Sequence, residues 1–111
     1  MTYKRLNNMT GMDPVLNRRI SSIFLNEFEA FRNTLSELPN HENGDPFQFN
    51  LHKIRPSLVI FELDSLIKLY DALSARKREG EKITPEDPDL IFALSETTKQ
   101  VDRVSEFSNN L

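Results

Sequence analysis

A histidine followed three residues later by an arginine places a nucleophile and a cation on one face of a helix. That arrangement stands at His52 in the run Asn50-Leu51-His52-Lys53-Ile54-Arg55-Pro56-Ser57-Leu58. With a pKa near about 6.5, a solvated imidazole is mostly unprotonated at neutral pH and can accept a phosphoryl group through a ring nitrogen. Residues three and four positions on share the face of His52. Arg55 would hold phosphoryl oxygens through charge-assisted hydrogen bonds. Lys53 adds positive charge beside it. Pro56 has no long side chain to obstruct an incoming partner. The chemistry these residues suit is group transfer on an exposed imidazole, with the rest of the machinery supplied by another protein.

The helix that positions them has an apolar stripe of Phe47, Leu51, Ile54, Leu58 and Phe61. With Phe47 at zero and about 100° per residue, the stripe stays within about 40° of it, and His52 falls at about 140°. Val59 lies near about 120°, Pro56 about 180°, Phe49 about 200° and Ile60 about 220° on the same wheel. The face turned from the core therefore carries Phe49, Pro56, Val59 and Ile60 around the histidine. Apolar side chains on an exposed face mark a contact surface. The same pattern also fits a central helix buried on both sides, or a bundle that dimerises there.

The rest of the chain reads as helix throughout. A short first helix spans Tyr3 to Met9 and ends before Gly11. Asp13-Pro14 reads as an N-cap followed by proline at the first helical position. Leu16, Ile20, Phe24, Phe28, Phe31, Leu35 and Leu38 then form one stripe at spacings of three and four. Pro39 to Gly44 is a polar loop, and Asp45-Pro46 repeats the capping pattern before the helix of His52. After a turn near Glu62, Leu63, Leu66, Leu69 or Tyr70, and Leu73 face inward. Gly80 and Pro85 punctuate the chain. Leu90, Leu94, Thr97 or Thr98, Val101, Val104 and Phe107 make the last stripe. No segment sustains a period-two alternation. The expected fold is all-α: an antiparallel four-helix bundle with a short additional N-terminal helix.

At 111 residues the chain is expected to form a single domain, residues 1–111. A net charge of −3 argues against general nucleic-acid binding. The absence of cysteine removes disulfides and thiolate metal sites and fits a cytoplasmic protein. The N-terminal residues lack a signal peptide's apolar run, and no stretch reaches the ~20 apolar residues of a membrane span.

Other candidates are weaker. His41 with Glu42 and Asp45 is conceivable as a metal site, but a solvated loop histidine is the simpler reading. Glu86, Asp87 and Asp89 around Pro88 read as helix-start chemistry, since no EF-hand spacing follows. Arg76-Lys77-Arg78, with Lys82, reads as a solvated helix end whose charge suits the dipole. Ser21-Ser22 has no base at a recognisable spacing. No glycine-rich phosphate loop is present.

The chain resembles the histidine-containing phosphotransfer (HPt) domain of bacterial two-component phosphorelays. The family's core pattern is His, any residue, Leu, Lys, Gly, then small residues, followed by a leucine-spaced helix. Here it stands as His52-Lys53-Ile54-Arg55-Pro56-Ser57, with Leu66 and Leu73 downstream. Tyr3-Lys4-Arg5-Leu6, Gly11-Met12-Asp13-Pro14 and Ile23-Phe24-Leu25 resemble the family's opening segments. The resemblance covers about residues 2 to 107 and rests on the order and spacing of short motifs. It implies a cytoplasmic, monomeric bundle whose His52 takes a phosphoryl group from a receiver-domain aspartate and passes it to another receiver. The implied partners are response-regulator receivers and a hybrid sensor histidine kinase, with no nucleic acid or membrane. It also implies no metal or cofactor on this chain and no autonomous kinase activity, magnesium belonging to the receiver. Arg55 stands where the family has lysine, Pro56 where it has glycine, and Glu62 where glycine is common at the turn. Proline inside a helix costs about 3 kcal/mol or more and frees the carbonyl four residues earlier, that of His52. Two other readings remain: an HPt-like bundle that binds a receiver or another protein without being phosphorylated, and a structural dimerisation bundle.

Overall fold

The computed structural model describes residues 3–42 and 45–111. Met1 and Thr2, and the Asn43-Gly44 end of the expected loop, lie outside the described residues. The fold is all-α, with no strand among the described residues. Its elements are α1 (Lys4–Thr10), α2 (Pro14–Ser36), a single 3-10 turn (Leu38–Asn40), α3 (Asp45–Ile60), α4 (Asp64–Arg78) and α5 (Pro88–Asn109). Helix α2 packs on α3 and α5, and α4 packs on the same two, so the four long helices enclose one core. Helix α1 lies against α2.

Local chemistry sets the helix ends. The Asp13 carboxylate accepts from the amides of Val15 at 2.9 Å and Leu16 at 3.3 Å, capping α2 just before Pro14. Asp87 caps α5 in the same way, accepting from the Asp89 amide at 3.0 Å ahead of Pro88. Helix α3 starts at Asp45 itself, one residue earlier than a capping aspartate would place it. Gly11 (φ +62°) and Gly80 (φ +81°) end α1 and α4 in the left-handed region that glycine enters without a Cβ clash.

The core is an aromatic chain. Tyr3 meets Phe61 edge-on, Phe61 meets Phe24, and Phe24 stacks on Phe28 at 4.7 Å. Phe28 continues to Phe31, which packs against Phe47 and Tyr70. Phe24, Phe28, Phe31, Phe47, Phe61 and Tyr70 are all essentially inaccessible to solvent. Tyr70, rather than Leu69, is the fully buried residue of that pair. Its hydroxyl bonds to Thr97 Oγ1 at 2.5 Å, and Thr97 in turn donates to the Ala93 carbonyl at 2.6 Å. Burial pushes the Tyr70 phenol well above its usual range.

The inward stripe of α2 differs from expectation at its start. Leu16 is exposed and Ile20 only half-buried, while Asn17 and Ser21 are buried. At Asn17 the cause is α1, which covers this end of α2 with polar side chains. Asn17 Nδ2 donates to Asn7 Oδ1 at 2.9 Å, and Thr10 Oγ1 donates to Asn17 Oδ1 at 2.5 Å. In α5 the buried set is Leu90, Ala93, Thr97 and Val104, with Leu94, Val101 and Phe107 packed half-buried beside them.

The expected solvated helix end at Arg76-Lys77-Arg78 is corrected for its first two residues. Lys77 is buried, and its Nζ donates to the His41 carbonyl at 2.6 Å. Arg76 reaches Asp87 through both terminal nitrogens, at 3.0 and 2.5 Å, with Glu81 at 2.9 Å and Asp89 at 3.1 Å. This cluster ties the α4–α5 connection to the end of α4. The Arg76 guanidinium, chiefly through its hydrogen bonds, holds the Asp87 carboxyl down at about 2. A carboxyl depressed in the folded state stabilises the fold above its ordinary titration range and ceases to as pH falls through the folded value. Arg76→Ala is expected to cost about 1–3 kcal/mol at neutral pH. Asp87→Asn should flatten the loss of stability between about pH 5 and pH 2. Chemical denaturation of each variant across that range measures both effects.

Candidate functional site

Helix α3 turns Phe47, Leu51, Ile54 and Leu58 into the core, each no more than 3% exposed. The intervening positions face outward. His52, Lys53 and Pro56 are exposed, Phe49 is 72% and Val59 43% exposed, and Ile60 is half-buried against the core. The helix is thus buried on one side only, so the reading in which both faces are covered within the fold does not hold. Pro56 lies inside a continuous α3 and supplies no amide to the His52 carbonyl.

Two hollows share His52 in their linings. One is apolar and open, lined by Met9 of α1 with His52, Arg55, Pro56, Val59 and Ile60. The other is polar and smaller, lined by Gln48, Leu51, His52, Arg55, Asp71 and Arg78. His52 and Arg55 belong to both. The structure therefore brings His52, Arg55, Pro56, Val59 and Ile60 together. Phe49 is on the open face of α3 but outside these hollows, and so is Lys53.

Arg55 is not a free cation. Its guanidinium forms a forked ion pair with Asp71 of α4, Nη2 to Oδ1 and Nη1 to Oδ2 at 3.4 Å. Both side chains are close to half-exposed, at 41% and 48%, so solvent competes with the pair and its net worth is small. Arg78 lies in the same hollow and is exposed, and no hydrogen bond or ion pair joins it to the described residues. Nearby, Gln48 Nε2 donates to Ser74 Oγ, linking α3 to α4 beneath the histidine.

Nothing in the sequence marks Asp71, Gln48 or Met9 as part of this site. Arg78 was visible only as the last member of a basic run. Asp71 sits 16 residues from Arg55, on the next helix, where no spacing rule within one element reaches it.

Helix α1 braces the far end of α3. Arg5 Nη1 donates to the Val59 carbonyl at 2.9 Å and lies 3.6 Å from Asp64. Glu62 holds the left-handed turn between α3 and α4 at φ +58°, and its Oε2 accepts from the Lys4 amide at 2.9 Å. The Glu62 carboxylate thus fastens the start of α1, whose Met9 lines the same hollow as Pro56 and Val59.

His41 offers its carbonyl to Lys77, and no three His, Cys, Asp or Glu side chains gather as a metal site among the described residues. Ser21 is buried and Ser22 exposed, so the two hydroxyls do not share one face of α2. No helix among the described residues is long and apolar enough to cross a membrane. Neither a family model, nor a curated protein, nor a solved structure matches the chain.

Proposed function

We propose that this chain is a phosphorelay protein of the HPt kind, with its four long helices in antiparallel arrangement and His52 as phosphoacceptor. The observation that carries the reading is an exposed imidazole on a one-sided helix, beside two arginines and an apolar rim. A receiver-domain aspartyl phosphate would dock over Phe49, Pro56, Val59 and Ile60. The unprotonated ring nitrogen attacks phosphorus. The P–O bond to the receiver carboxylate breaks, and the carboxylate leaves with the electron pair. The imidazolium formed can release its remaining N–H proton to solvent, and reversal onto a second receiver completes the relay. Arg55 and, more distantly, Lys53 supply positive charge. The partners in this reading are response-regulator receivers and a hybrid sensor kinase, met by a monomer in the cytoplasm. The chain itself would contribute no kinase activity and carry no cofactor.

A second reading is a bundle that docks receivers without being phosphorylated. It draws on two observations: Arg55 is already engaged by Asp71, and proline stands one turn after His52. Pro56→Gly separates the two. Under the first reading the wild type is labelled by a phosphorylated receiver. The substitution then raises stability by about 2 kcal/mol, the roughly 3 kcal/mol cost of the in-helix proline being offset only in part by the roughly 1 kcal/mol of glycine's poor helix propensity. Under the second, the wild type binds but stays unlabelled, and Pro56→Gly restores labelling. Intact mass after incubation distinguishes them.

A further inference from the structure

We infer that Asp71 is a positioning residue that competes with the phosphoryl group for Arg55 and so keeps phosphohistidine transferable. The inference rests on His52 being the phosphoacceptor and adds an internal rival for the cation beside it.

The polar hollow holds one imidazole, two arginines and one carboxylate. In the unmodified protein Asp71 takes both terminal nitrogens of Arg55. This neutralises the carboxylate, which would otherwise repel an incoming phosphoryl group across the same hollow. Once a phosphoryl group sits on His52, Arg55 faces two anions. The phosphoryl group carries up to about two negative charges and three acceptor oxygens, so it draws the guanidinium away from Asp71. The pair is near half-exposed, which makes that exchange inexpensive. What Arg55 gains at the phosphoryl group it loses at Asp71, and the modified state is held less tightly than a free arginine would hold it. Arg78, with no partner among the described residues, is available to the phosphoryl group throughout.

Removing the rival should therefore stabilise the phosphorylated form, and only while Arg55 is present. The test uses the whole chain with a small-molecule phosphoramidate salt as donor, so no cognate receiver is needed. Wild type, Asp71→Asn, Arg55→Ala and the double variant are followed by intact mass, for plateau labelling and for half-life after the donor is removed. Asp71→Asn is expected to raise the labelled plateau or the half-life roughly threefold in the presence of Arg55, the scale of an exposed ion pair. It should change neither when Arg55 is alanine. In wild-type protein the Arg55 side-chain N–H resonance should also move on phosphorylation, a readout that needs no variant to fold.

Equal labelling and lifetime in wild type and Asp71→Asn would overturn the role of Asp71 while leaving His52 in place. The same gain with and without Arg55 would overturn it too, since Asp71 would then act by direct repulsion. If wild type and Asp71→Asn both fail to label at His52, the phosphoacceptor reading falls, and this inference with it.

Discussion

His52→Gln is expected to abolish phosphoryl labelling while leaving helical content and thermal midpoint nearly unchanged. The side chain is exposed on α3 and none of its atoms fills the core, and surface substitutions of this kind usually stay within about 0.5 kcal/mol. Loss of labelling is expected to be complete, because no other group in the hollow can form the same adduct. The wild-type product should be a phosphoramidate, labile in acid and stable in base. His41→Gln serves as the control and should label like wild type. Labelling of His52→Gln would place the acceptor elsewhere, and unfolding would make the residue structural.

Phe31→Ala should have the largest effect on stability. Phe31 is buried where α2, α3 and α4 meet, with rings 6.0 Å from Phe28, 5.4 Å from Phe47 and 4.6 Å from Tyr70. Truncating such a residue costs about 3–5 kcal/mol in lost transfer energy and residual cavity. That is a large share of the roughly 5–15 kcal/mol that holds a domain together. The midpoint should fall by more than roughly 10 °C. Phe49→Ala, one helix face away and 72% exposed, should stay within about 0.5 kcal/mol while weakening receiver docking. Thermal and chemical denaturation of the pair reads both. Comparable losses would contradict the division of α3 into a core face and an open face.

That division was legible in the sequence because it depends on periodicity alone. The spacing of Phe47, Leu51, Ile54 and Leu58 settles which side of α3 is buried, and His52 follows by subtraction. Asp13-Pro14 was legible for a different reason: a cap and a proline act within one turn. The start of α2 was not. Leu16 and Ile20 continue the apolar spacing, yet α1 folds over the neighbouring face and pairs Asn7 and Thr10 with Asn17. Apolar periodicity gives no weight to a face buried through amides and hydroxyls.

The same limit applies to charge. A run such as Arg76-Lys77-Arg78 looks uniform along the chain. In the fold the three residues diverge, Arg76 into an acidic cluster, Lys77 inward to the His41 carbonyl, and Arg78 toward His52. Partners on other elements decide each case. The pairing of Arg55 with Asp71 is a further example, and it bears most on chemistry, because the cation expected to stand free beside the imidazole is already engaged.

The most direct test of the proposed function is incubation of the purified chain with a phosphorylated receiver domain, followed by intact mass and localisation of the adduct. The account predicts one phosphoryl group, acid-labile and base-stable, on His52, and its return to a fresh receiver. Stable binding of phosphorylated receivers with no adduct on the chain would contradict it.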